Sequence, residues 1–242
     1  MKAACVIPAR LESSRFPRKM LHLIQGKSLI RRTVENARSF PIPAYVLTDS
    51  IEIAREVQDI APIIFTSSKP KTGTDRIVEA LYTNQQLQSF DLLVNAQGDH
   101  PFLSPKTVEN LLEAFAENPS LDIATAVQKI SKKDAVKPQV VKCVFSENNQ
   151  ALYFSRSLVP HGAEEYYQHI GVYAYKTRFL HNLQKMPQTD LEQKEQLEQL
   201  RFLEKGFSIQ VVISENPHDV AGVDFPIDAL ACGEIAADMT YL

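Results

Sequence analysis

Residues 3–19 read Ala3-Ala4-Cys5-Val6-Ile7-Pro8-Ala9-Arg10-Leu11-Glu12-Ser13-Ser14-Arg15-Phe16-Pro17-Arg18-Lys19. Ala3 to Ile7 is an apolar run of strand length. It stops at Pro8, and four cations follow: Arg10, Arg15, Arg18 and Lys19, with the hydroxyls of Ser13 and Ser14 among them. Burying those charges is costly, so they face solvent or an anion. A strand that opens into a basic, hydroxyl-rich loop ahead of a helix is suited to holding phosphates. Backbone N–H groups, a helix N-terminus and guanidinium forks all favour concentrated negative charge.

Outward from that stretch, short apolar runs alternate with helix-period segments. Strands are expected at Ala44 to Thr48, Pro62 to Thr66 and Asp91 to Ala96. Helices are expected after Ser28, at Ile51 to Gln58, from Thr74, and after the Ser104-Pro105 start, where a cap precedes proline. This alternation predicts parallel βαβ units in a layered α/β sheet. The second half is richer in strands: Asp122 to Ile130, Val140 to Phe145, Ala151 to Phe154 and His169 to Tyr175. One charged helix is expected over Leu191 to Lys205, stopped by Gly206. A strand at Ile209 to Ile213 and a helix from Pro226 complete the pattern, which predicts one domain over 1–242 with a β-rich insertion.

Composition excludes several classes. The 242 residues are 44% hydrophobic and 23% charged, an ordinary globular balance. A net charge of −3 argues against broad nucleic-acid or membrane-surface binding, so the N-terminal basic cluster is a local device. The longest apolar runs are far too short to span a bilayer. Cys5, Cys143 and Cys232 show neither disulfide nor zinc spacing, which fits reduced thiols in a cytosol. Nucleotide loops of the G-x-x-x-x-G-K-[ST] and G-x-G-x-x-G kinds are absent, as is G-x-S-x-G.

Two carboxylate turns stand out. Gln97-Gly98-Asp99-His100 follows the strand at Asp91 to Ala96, at the sheet edge where open α/β folds bind ligands. Asp99 reads either as a Mg²⁺ ligand or as a turn-capping residue. Asp224, in Gly222-Val223-Asp224-Phe225-Pro226, could face the same cleft, while Asp228 reads as a first-turn dipole residue. Sequence spacing does not say whether Asp99 and Asp224 meet. In Gly73-Thr74-Asp75-Arg76, Thr74 reads as an N-cap and Asp75 as a first-turn acid. Arg76 is out of place on dipole grounds and is the functional suspect. An isolated histidine is more often structural, and His22, His161, His181 and His218 keep that reading.

Several segments occur in one order: Ile7-Pro8-Ala9-Arg10, Ser14-Arg15-Phe16-Pro17 with Lys19, Thr72-Gly73-Thr74-Asp75-Arg76, Gln97-Gly98-Asp99, Ala151-Leu152-Tyr153-Phe154-Ser155-Arg156, His169-Ile170-Gly171-Val172-Tyr173, Leu197-Glu198-Gln199-Leu200-Arg201 and Val223-Asp224. Together they resemble the 3-deoxy-manno-octulosonate (Kdo) cytidylyltransferases, over nearly the whole chain. The resemblance implies a nucleotide-diphospho-sugar transferase fold, a Rossmann-like mixed sheet flanked by helices. About 1–120 and 205–242 would form the nucleotide-binding core, and about 121–204 the sugar-binding and dimerisation part. It implies transfer of CMP from CTP to Kdo with release of pyrophosphate, for lipopolysaccharide assembly, by a cytoplasmic homodimer. By position Arg10, Ser14, Arg15 and Lys19 would hold the triphosphate, Arg76 would lie near the nucleotide–sugar junction, and Asp99 and Asp224 would hold Mg²⁺. Gln97, Arg156, His169, Tyr173, Glu198 and Gln199 would surround the sugar acid.

The chain departs from the family pattern at Arg18, where glycine is usual, at His100, where an acid is frequent, and at Phe225 and Ile227. Arg18 would add a phosphate contact or push the loop away. Alternatives to the Kdo reading are the same chemistry on 8-amino-Kdo or neuraminic acid, or a degenerate homologue that binds nucleotide without turnover.

Overall fold

The structure is a computed structural model, and it describes residues 1–13, 16–183 and 186–238. Ser14 and Arg15 therefore lie outside the described residues. In chain order the elements are β1 (Ala3–Ala9), β2 (Leu23–Ile24), β3 (Lys27–Ser28), α1 (Leu29–Ala37), β4 (Ala44–Thr48), α2 (Ile51–Val57), β5 (Ile63–Phe65), α3 (Gly73–Thr83), α4 (Gln85–Gln88), β6 (Leu92–Asn95) and α5 (Pro105–Glu117). The second half holds β7 (Ile123–Ile130), α6 (Lys132–Ala135), β8 (Lys142–Phe145), β9 (Ala151–Ser155), β10 (Tyr166–Lys176), α7 (Thr177–Leu183), α8 (Asp190–Glu195), α9 (Gln199–Glu204), β11 (Ile209–Ser214) and α10 (Pro226–Asp238).

Among the described residues the main sheet runs β11-β7-β10-β6-β1-β4-β5, with β8 pairing β10 and β9 pairing β8. β5, β4, β1 and β6 are mutually parallel, as the βαβ pattern predicts, and β10 inserts antiparallel between β6 and β7. The strands of the second half thus continue the same sheet, and the β8–β9 pair branches from it. The central strands are buried on both faces because α3 covers one side and α1, α2 and α5 the other. Leu93 accordingly joins Ile77 and Leu81, whereas Val94 joins Val34, Ile53 and Leu111.

Local signals set several boundaries. Ser28 and Ser104 cap α1 and α5 as expected, and Gly206 turns the chain at φ 82° after α9. Two expectations are corrected. Thr72, not Thr74, is the N-cap of α3, in a reciprocal box with Asp75, which frees the Thr74 hydroxyl for another partner. The helix expected over Leu191 to Lys205 is two helices, α8 and α9, separated by Gln196 in the left-handed region at φ 55°. Apolar periodicity could not report that break, because Leu197 and Leu200 remain buried on either reading.

Candidate active site

The carboxyl ends of β1 and β6 open onto a cleft lined by Pro8, Ala9, Arg10, Ser13, Lys19, Lys71, Thr72, Arg76, Gln97, Asp99 and Asp224, among others. Gly98 lets the Asp99 turn close on β1: a Cβ there would stand 3.0 Å from the Pro8 carbonyl oxygen. The Thr33 hydroxyl of α1 holds the same turn by donating to the Gly98 carbonyl at 2.8 Å. From the other side the Val223 N–H donates to the Asp99 carbonyl at 3.0 Å. The two carboxylate-bearing segments, far apart in sequence, are joined through their backbones.

Lys19 completes the junction. It begins a short 3-10 turn, Lys19–Leu21, and its side chain is only 11% exposed. Its Nζ donates to Asp99 Oδ2 at 2.5 Å and to the Val223 carbonyl at 2.8 Å, and lies 3.7 Å from Asp224 Oδ1. Asp99 and Asp224 thus converge on one ammonium. Burial pushes the Asp99 carboxyl up, but Lys19 and His100 outweigh it and hold the group below its ordinary range. Among the described residues no group of three or more His, Cys, Asp or Glu gathers as a metal cluster. Two carboxylates beside a carbonyl oxygen are instead a hard, oxygen-only donor set. That fits Mg²⁺, which uses one or two carboxylates and takes further ligands from phosphates and water.

Arg18, just before Lys19, turns away from the cleft. It sits in the left-handed region at φ 56° and its guanidinium pairs with exposed Glu52. Of the two readings left open by the sequence, a further phosphate contact finds no support. Arg18→Gly relieves backbone strain of about 1–2 kcal/mol. It gives up an exposed ion pair worth about 0–1 kcal/mol and adds chain entropy of about 0.5–1 kcal/mol to the unfolded state. The variant is therefore expected to keep its stability within about 1 kcal/mol and its turnover at or above the parent level. Melting and steady-state rates check this, and a complete loss of turnover would give Arg18 a functional role.

Arg76 lines the cleft but is a braced cation, 3% exposed. Its Nη2 pairs with Asp49 at 3.2 Å and its Nη1 donates to the Ser67 carbonyl at 3.2 Å and to the Thr66 hydroxyl. An arginine at a helix start is explained by this half-buried carboxylate. Arg10 donates more loosely, to the Lys71 carbonyl at 3.3 Å.

The expected sugar-side residues adjoin the cleft through Gln97, which lines it, and through α3. Glu198, between α8 and α9, accepts from the Thr74 hydroxyl at 2.8 Å and the Thr72 hydroxyl at 3.4 Å. Burial raises its pKa. His169 and Tyr173 lie on β10 on either side of a bulge between Ile170 and Tyr173, with ring centroids 5.2 Å apart. The Thr125 hydroxyl gives its proton to the Val172 carbonyl at 2.7 Å, so toward His169 Nε2, at 3.0 Å, it can only accept. Neutral His169 therefore carries its proton on Nε2 and leaves Nδ1 as an acceptor.

Burial, reinforced by His100, lowers the His169 pKa to about 3. The unfolded chain then binds the extra proton between about pH 6.5 and 3, so stability present above pH 6.5 is lost as pH falls through that window. His169→Gln should flatten the loss, measured as the unfolding midpoint from pH 7 to 4. An identical acid slope in both proteins would contradict the assignment.

Gln199 is 4% exposed at the start of α9. Arg156 does not line the cleft; it stands beyond the end of β9, where its Nε donates to the Glu195 carbonyl at 2.9 Å. Lys71, Thr125 and the Val223 carbonyl carry no separate signal in residue type or spacing, since each acts through a backbone position or an ordinary core threonine. The ring of His100, a departure from the family pattern, packs into the space left by Gly222, where a Cβ would come within 2.8 Å of Nε2.

A cytidylyltransferase family model matches residues 4–211. A 3-deoxy-manno-octulosonate cytidylyltransferase of Bacteroides thetaiotaomicron is 40% identical over 243 residues, covering 94% of this chain and 95% of that protein. One from Thermodesulfovibrio yellowstonii is 38% identical over 246 residues, with 94% and 95% covered. A solved structure of CMP:2-keto-3-deoxy-manno-octonic acid synthetase complexed with CTP superposes with a TM-score of 0.90 at 35% identity, covering 99% of this chain and all of that one. A nucleotidyl transferase from Methanothermobacter, at 15% identity and a TM-score of 0.65, shares the fold.

Proposed function

The chain belongs to the 3-deoxy-manno-octulosonate cytidylyltransferase family, and from that membership we propose that it transfers CMP from CTP to Kdo, releasing pyrophosphate. The observation that carries the reading is the meeting of Asp99 and Asp224 at Lys19, in a cleft that also holds Arg10 and Arg76. The anomeric hydroxyl of the sugar must approach the α-phosphate while its own carboxylate lies close by. Several anionic centres are thereby crowded together, and cations are required.

Arg10 and Lys19 hold the triphosphate, with Ser14 and Arg15 joining them by family position. Lys19, now engaged by both carboxylates, exchanges them for phosphate oxygens. Asp99 and Asp224 would hold Mg²⁺, which would supply neutralisation of phosphoryl charge and a lower pKa for the attacking hydroxyl. Gln97, Glu198 and the Nδ1 of His169 accept from or donate to sugar hydroxyls; Tyr173 and Gln199 border them, and Arg156 takes the sugar carboxylate. These groups act by positioning, which is the larger part of phosphoryl-transfer catalysis. The product supplies lipopolysaccharide assembly in the cytoplasm, and residues 121–204 pair two copies into a homodimer. Among the described residues no helix is long and apolar enough to cross a membrane.

Pyrophosphate release from CTP and Mg²⁺ across a panel of sugar acids tests the reading. Release with Kdo supports it. Release only with 8-amino-Kdo or neuraminic acid would move the specificity, and CTP binding without release under any condition would overturn the enzymatic assignment.

A further inference from the structure

Among the described residues Lys142 is the most deeply buried cation of the chain's second half, and it takes no part in the cleft described above. Its residue is 0% exposed. Its Nζ donates to the carbonyls of Arg156 at 2.6 Å, Val140 at 2.7 Å and Lys137 at 3.3 Å, which uses its three N–H bonds. Among the described residues no carboxylate lies within ion-pair distance of Lys142 or of the Arg156 guanidinium. Glu195, the acid that attracts the Lys142 charge, is held by neutral donors: its carboxylate accepts from the Ser155 hydroxyl at 2.7 Å and the Arg156 backbone N–H at 2.9 Å. Burial lowers the Lys142 pKa against the opposing pull of the Glu195 carboxylate, and the Arg156 charge adds a smaller push in the same direction as burial. A buried ammonium is tolerated when all its donors are satisfied and an acid lies near enough to attract it, and here those bonds tie Lys142 rigidly to the chain around Arg156.

The register shows which elements Lys142 joins. It stands opposite Ser155 of β9 and Gln168 of β10, so it lies between the strand that leads to Arg156 and the strand that carries His169. The adjoining Val141 carbonyl accepts from the His169 N–H at 2.8 Å. We propose that Lys142 is a positioning residue for the sugar acid: its buried ammonium, with all three N–H bonds given to main-chain carbonyls, fixes the Arg156 main chain and so aims the Arg156 guanidinium at the sugar carboxylate. The inference rests on the proposed function in taking Arg156 as the carboxylate's partner. It assigns a distinct role to a residue outside the cleft.

Lys142→Met removes charge and donors, and Lys142→Gln keeps two N–H donors without the charge. Calorimetric binding of Kdo and steady-state kinetics with CTP and Mg²⁺ are measured for both, and for Arg156→Ala with and without the Lys142 change. The expected result is a Kd and KM for Kdo raised about tenfold to a hundredfold, with KM for CTP within about twofold of the parent. If Lys142→Met yields no folded protein, Lys142→Gln carries the same test. Once Arg156 is alanine, the Lys142 change should add little, because one residue acts through the other. Unchanged Kdo affinity in Lys142→Gln, equal weakening of CTP, or fully additive losses with Arg156→Ala would overturn the inference. A parent protein that binds Kdo but releases no pyrophosphate would instead overturn the function and leave the Lys142 comparison readable from binding alone.

Discussion

Asp99→Asn is expected to lose about two to three orders of magnitude in turnover at saturating CTP, the scale of removing one electrostatic stabiliser from a phosphoryl- or acyl-transfer site. Asparagine has nearly the shape of aspartate. The contacts that hold the turn, Thr33 to the Gly98 carbonyl and Val223 N–H to the Asp99 carbonyl, are made by backbone oxygens and survive the change. What disappears is a charge that Lys19 keeps ionised and aimed at Asp224's side of the cleft. Lys19 retains the Val223 carbonyl and Asp224, so the protein should stay folded, with a stability cost of about 1–3 kcal/mol. The Mg²⁺ concentration needed for half-maximal rate should rise in parallel with the loss in rate. Turnover within about threefold of the parent, at unchanged Mg²⁺ demand, would remove Asp99 from the proposed metal site and with it the central step of the reading.

The parts of this site that were legible in sequence are those where chemistry is written into residue type. A basic loop after a buried strand, and a carboxylate on a glycine turn at a strand's end, limit what the chain can do there. Whether Asp99 meets Asp224 was not legible, because it depends on the Val223 N–H bond to Asp99 and on how α10 packs against the β2–β3 hairpin through Ile24, Val223 and Cys232. Such contacts leave no periodic signal. The role of Thr74 was missed for a related reason. Thr72 and Thr74 are equally good caps by type, and only the Asp75 box selects Thr72, leaving Thr74 for Glu198. Arg76 is anomalous by residue type, yet its counter-charge Asp49 follows a different strand. The break between α8 and α9 was hidden because both halves keep helical polarity, while the cause is tertiary: the Glu195 carboxylate is drawn to Ser155 and the Arg156 N–H, and the chain turns at Gln196 immediately afterwards.

That turn makes Arg201→Met the second large expected effect, this time on stability. The Arg201 guanidinium grips the Glu192 carboxylate at both oxygens, with Nε to Oε2 at 2.7 Å, and the two side chains are 7% and 6% exposed. Glu192 also closes the capping box of α8 by accepting from the Thr189 N–H at 3.2 Å. One ion pair therefore anchors α8 to α9 and sets the loop between them, from which Glu198 reaches Thr74. Removing the arginine leaves a buried carboxylate with only neutral donors, the Thr189 N–H and a long bond from the Gln188 amide, and the cost is about 3–5 kcal/mol. At roughly 2–4 °C per kcal/mol for a chain of this size, the melting temperature should fall by about 10 °C. Pairing Arg201→Met with Glu192→Met removes the stranded charge and should recover most of the loss, since apolar replacement of a buried pair is often close to neutral. The repaired double variant should still show a raised KM for Kdo, because nothing then fixes the Glu198 loop as tightly. A double variant less stable than Arg201→Met alone would mean that the ion pair's geometry, rather than the burial of an unmatched charge, is what holds α8 and α9 together.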